Sequence, residues 1–94
     1  MKKDTSIDDI IQQFFKLNNK EDLLLEGRMP EVWKQVVGPM IAQRTKYKSF
    51  VSGTIYIGVH EAALRFELTQ LRSSLVEKMN DSLGKIMVKN IVFQ

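Results

Sequence analysis

Apolar residues recur along this chain with two different periods, and the change from one to the other divides it into segments. Ile7, Ile10, Ile11, Phe14 and Phe15 keep the i, i+3, i+4, i+7 spacing of one helical face. Thr5 or Ser6 can act as N-cap, Asp8 and Asp9 fall where the helix dipole favours negative charge, and Asn18-Asn19 ends the run. This predicts a helix over roughly 6–17. From Lys20 to Arg28, Leu23-Leu24-Leu25 lies between charges and closes at Gly27, which reads as a loop or one short helical turn. Pro30 suits the first position of a second helix, with Val32, Trp33, Val36 and Val37 as its apolar face. Gly38-Pro39 kinks or breaks that helix, and Pro39 can start a further segment, Met40 to Thr45.

Beyond Thr45 the period shortens to two. Tyr47 to Val51, a Ser52-Gly53 turn, and Thr54 to Val59 with Ile55, Ile57 and Val59 on one side predict a β-hairpin. Glu61 to Leu83 returns to helical period, with Leu64, Leu68, Leu71, Leu75, Met79 and Leu83 in one stripe and Gly84 closing it, so one long helix is predicted. Met87 to Phe93 is β-branched and aromatic enough for a last strand. The order α-α-β-β-α-β predicts an α+β fold: a small three-stranded sheet with helices packed on one face.

At 94 residues and 44% hydrophobic, the expectation is a single domain over 1–94, with binding on its surface rather than in a cleft between domains. The absence of cysteine removes disulfides, thiolate metal sites and thiol nucleophiles, and suits a reduced compartment. Met1-Lys2-Lys3-Asp4 turns acidic before any apolar run, and no stretch approaches the about 18 apolar residues of a membrane span. A cytoplasmic protein with no membrane contact is expected.

The formal charge of +3 is unevenly spread. Four lysines stand against six acids up to Glu26, whereas ten basic residues stand against five acids beyond it. The densest basic run is Arg44, Lys46 and Lys48, with no acid between Glu31 and Glu61, a candidate footprint for nucleic acid or another polyanion. Arg65 and Arg72, seven apart on the predicted long helix, share a face and can extend that patch. The plainer reading of each is solvated surface. Trp33 can stack a base, but Val32, Val36 and Val37 mark it as a core anchor. Tyr47 and Tyr56, interleaved with Lys46 and Lys48, are better stacking candidates, against the alternative of strand tyrosines half-buried under a helix.

Catalytic chemistry finds little support. His60 is the one histidine, so no two-histidine metal site exists. His60-Glu61-Ala62-Ala63-Leu64 begins like the zinc-protease signature but carries Leu64 at the second ligand position. No serine sits in a nucleophile-elbow pattern, and Gly27, Gly38, Gly53, Gly58 and Gly84 are dispersed as turn and cap glycines rather than gathered into a phosphate loop. Neither a cofactor nor a small-molecule substrate is expected.

Taken together, Val32-Trp33-Lys34-Gln35-Val36-Val37-Gly38-Pro39-Met40-Ile41-Ala42, Thr45, Gly53-Thr54-Ile55-Tyr56-Ile57-Gly58-Val59, Glu67-Leu68, Asn80, Gly84 and Ile91-Val92-Phe93 resemble the DciA family, from about residue 7 to the end. The resemblance implies a K-homology-like fold, a role in bacterial DNA replication as loader or recruiter of the replicative helicase, and affinity for DNA. The G-x-x-G clamp of nucleic-acid-binding K-homology domains is missing, because neither Gly27 nor Gly38 has a glycine three residues away. The expectation is therefore a non-enzymatic accessory domain holding DNA weakly and without sequence preference through Arg44, Lys46, Lys48, Arg65 and Arg72, with the helicase as partner. The alternative is a protein–protein interaction domain without nucleic-acid affinity, its basic patch docking an acidic partner; a small hydrolase is the third.

Overall fold

The structure is a computed structural model and describes residues 20–94. The predicted helix over 6–17 lies outside the described residues. The first described element, α1 (Lys20–Gly27), makes the stretch around the three leucines a full helix rather than a loop, with Glu21 and Asp22 in its favourable first turn. It buries none of its residues completely; Leu25 packs against the core while Leu24 is exposed. Asp22 pairs with Lys85, which fastens α1 to the opposite end of the chain.

Helix α2 (Met29–Gln43) starts with Pro at its head and buries Met29, Val32 and Trp33. It is interrupted where the sequence predicts: Gly38 sits at φ 86°, ψ 161°, a conformation open to glycine, and Pro39 restarts the helical path. Strand β1 (Thr45–Val51) then pairs antiparallel with β2 (Thr54–Val59), and Val51 opposite Thr54 leaves a two-residue turn. Ser52 and Gly53 both have positive φ, as a turn matching the right-handed twist of the strands requires. The register slips between Tyr47 and Ser49, so Lys48 is the extra residue of a bulge.

The stripe from Leu64 to Leu83 is carried by two helices, α3 (Ala62–Gln70) and α4 (Arg72–Leu83), not one. At Leu71 the backbone turns to φ −96°, ψ 8°, and the side chain is 53% exposed although the other stripe residues are buried. The Thr69 hydroxyl donates to the Arg65 carbonyl at 2.8 Å, a contact that bends helices, and the Leu71 N–H is shared between Glu67 and Leu68 carbonyls. Gly84 ends α4 in the left-handed region.

The last strand, β3 (Asn90–Phe93), is shorter than predicted and pairs parallel with β2, giving a mixed sheet in the order β1-β2-β3. Met87 and Val88 are coil, fixed by Asn80: its Oδ1 accepts from both N–H groups at 2.9 and 2.8 Å, and its amide donates to the Val88 carbonyl. The architecture is α+β as the sequence implies, with the order α-α-β-β-α-α-β over the described residues. Ile55, Ile57, Val59 and Ile91 turn one sheet face into the core beside Trp33, Leu64, Leu68, Leu75 and Met79. No polar or charged residue is buried among the described ones, and none of their helices is long and apolar enough to cross a membrane.

Candidate nucleic-acid interface

Hairpin register decides which charges meet. Thr45 lies opposite Val59, so the residue entering β1, Arg44, is brought beside the residues leaving β2, His60 and Glu61. Around this open end of the hairpin is a shallow hollow of about 490 Å³ whose lining includes Arg44, Lys46, Lys48, Gly58, His60 and Arg65. Four of the five predicted site residues thus share one concavity.

Each reaches it differently. Lys46 and Lys48 are exposed on β1, and neither has an acidic partner among the described residues. Lys48 lies across β2: a Cβ at Gly58 would stand 2.9 Å from its Cε. Gly58 is therefore a mid-strand glycine that admits a neighbouring side chain, and not the turn or cap glycine predicted. Arg65, on the first turns of α3, donates from one guanidinium nitrogen to the Val59 carbonyl at 2.7 Å, which fixes the side chain against the hairpin end. Arg44 meets Glu61 in a two-point contact, its Nε donating to Oε2 at 3.3 Å and a terminal nitrogen to Oε1. This pairing holds the Glu61 carboxyl below its ordinary range and raises the Arg44 guanidinium, in both cases chiefly through the hydrogen bond.

Arg72 does not join them. It opens α4 beyond the break at Leu71, so the seven-residue spacing from Arg65 no longer means a shared face, and it is not part of the hollow. Its Nε is buried without a hydrogen-bond partner among the described residues.

The aromatic candidates separate by sheet face. Tyr47 packs against the core, and burial first, then Glu26, pushes its phenol up. Tyr56 projects on the other face, opposite Ser49 and beside Val92. Trp33 is 2% exposed, donates its indole N–H to Thr45 Oγ1 at 2.9 Å and lies 6.1 Å from the Phe93 ring, a core anchor as predicted. Glu61 is the residue of this site that the sequence reading passes over, since only the hairpin register sets it against Arg44.

No curated protein matches the chain. Residues 6–93 match the family described as Dna[CI] antecedent, DciA. With nearly the whole chain covered, it belongs to the DciA family, whose members are accessory proteins of DNA replication that load the replicative helicase.

Proposed function

We propose that this chain is a non-enzymatic replication accessory that works beside the replicative helicase and holds nucleic acid, weakly and without sequence preference, in the hollow of Arg44, Lys46, Lys48 and Arg65. The observation that carries the proposal is the convergence of these four cations from β1, the α2–β1 junction and α3 on one concavity. Lys46 and Lys48 supply mobile point charges; Arg65 and Arg44 supply planar donors suited to phosphate oxygens. With no G-x-x-G pair to clamp a strand, phosphate contact is the main source of affinity, and phosphates carry no sequence information.

About three to four contacts give log K a slope of roughly −2 to −4 against log salt, shallower on single strands than on duplex. Lys46→Glu with Lys48→Glu abolishes binding in fluorescence anisotropy at about 50 mM salt. Both side chains are exposed, so the fold survives. Arg72→Gln leaves affinity and slope at wild-type values. A double variant that binds with the wild-type slope refutes the placement; wild-type protein that binds nothing at this salt favours the docking of an acidic partner protein.

A further inference from the structure

Glu61 interrupts the basic hollow. None of the side chains lining it is acidic, yet at its rim the Glu61 carboxylate engages the guanidinium of Arg44 through two nitrogens. Glu61 begins α3 without using its side chain as a cap, so the local helix geometry does not account for where the carboxylate goes. A guanidinium presents the same two-N–H edge to a carboxylate and to a phosphate. The two side chains are 46% and 50% exposed, so an incoming anion can reach the pair and exchange with it.

We infer that Glu61 is an internal occupant of a phosphate subsite: in the free protein it fills the fork of Arg44, and a backbone phosphate of the bound strand displaces it. This rests on the nucleic-acid reading above and adds a residue that lowers affinity. While paired, Arg44 contributes almost no net charge to the hollow. A phosphate that takes the fork releases Glu61, which recruits a cation of its own, so the exchange yields little net counterion release. Lys46, Lys48 and Arg65 then set the wild-type salt slope, and Arg44 contributes geometry.

Glu61→Gln tests this with a labelled oligothymidylate and a labelled duplex as probes. Expected is binding about three- to fivefold tighter at about 50 mM salt, with the slope steeper by about 0.7 on the single strand and about 0.9 on duplex. The gain requires the fork. Adding Glu61→Gln to Arg44→Gln gives no further tightening, and Glu67→Gln, which neutralises an acid that influences Arg44 only through space, leaves the slope unchanged. Circular dichroism and melting verify that the variants are folded. Wild-type binding that Glu61→Gln leaves unchanged in affinity and slope overturns the inference while the nucleic-acid reading stands. Equal gains with and without Arg44 also overturn it, because Glu61 then acts as a general repulsive charge. If neither wild type nor Glu61→Gln binds, both readings fall.

Discussion

Trp33 shows what a single residue contributes and how far its role can be read from sequence. Its burial follows from Val32, Val36 and Val37 on the same helical face, and the structure places it in the core. Its hydrogen bond to Thr45, twelve residues on, has no sequence pattern behind it, because that contact depends on how α2 turns into β1. Trp33→Ala removes a large buried ring and the contact with Phe93, and is expected to cost about 3–5 kcal/mol in urea denaturation. Trp33→Phe keeps most of the apolar volume and loses the indole donor, at about 1–2 kcal/mol. Equal stability of wild type and Trp33→Ala would take the ring out of the core. The break at Leu71 undoes the helix face that joins Arg65 to Arg72 in the sequence, but Arg44, Lys46 and Lys48, alternating within five residues, were legible as a cluster. Glu61 was not, since an acid two strands away in sequence meets Arg44 only after Thr45 pairs with Val59.

At the scale of elements, sequence period finds the hairpin and the helix kinked at Gly38-Pro39, but not every joint in the second half of the chain. The stripe from Leu64 to Leu83 keeps helical spacing straight through Leu71, so nothing in the apolar pattern marks the break; beside it the Thr69 hydroxyl is turned back on the Arg65 carbonyl, a polar contact that weakens a helix at that point. The last strand is shorter than the apolar run from Met87 predicts, for a related reason. Met87 and Val88 look like strand residues, but Asn80 takes their backbone N–H groups and holds them as coil. No apolar period points to Asn80, but its three hydrogen bonds give it a physical role: it ties the end of α4 to the approach of β3. Val88 is 1% exposed, so the groups Asn80 satisfies are shielded from water. Asn80→Ala is expected to destabilise by about 2–4 kcal/mol, since part-buried backbone groups lose their partners. Asn80→Asp keeps both acceptor contacts but sets a carboxylate oxygen against the Val88 carbonyl, and it also destabilises. Hydrogen exchange at Met87 and Val88 reads the effect locally: unchanged protection in Asn80→Ala would mean that the loop is held by its apolar side chain alone.

The molecule as a whole keeps its folding forces and its proposed binding forces apart. Its described core is apolar throughout, and both described ion pairs, Arg44 with Glu61 and Lys85 with Asp22, lie at least partly in solvent, where such pairs contribute little. Protonation follows the same division. The Glu61 carboxyl is depressed from an ordinary 4.5, so its small contribution is present above that value and is lost as pH falls through the lower folded one. Lys85 is raised from 10.5 by its bond to Asp22, and Tyr47 from 10.0 chiefly by burial. Their contributions are present below those values and are lost as pH rises through the higher folded ones. Stability is therefore expected to be nearly flat from about pH 5 to 10 and nearly independent of salt. Binding in the hollow behaves oppositely, because each phosphate contact releases a counterion: raising salt from about 50 to 200 mM should weaken it about 16- to 250-fold at slopes of −2 to −4. Melting temperature and anisotropy measured on one salt series compare the two directly. A melting temperature that falls in step with affinity would show that surface charge pairs hold the fold together, and the hollow could then not be altered by charge reversal without unfolding the domain around it.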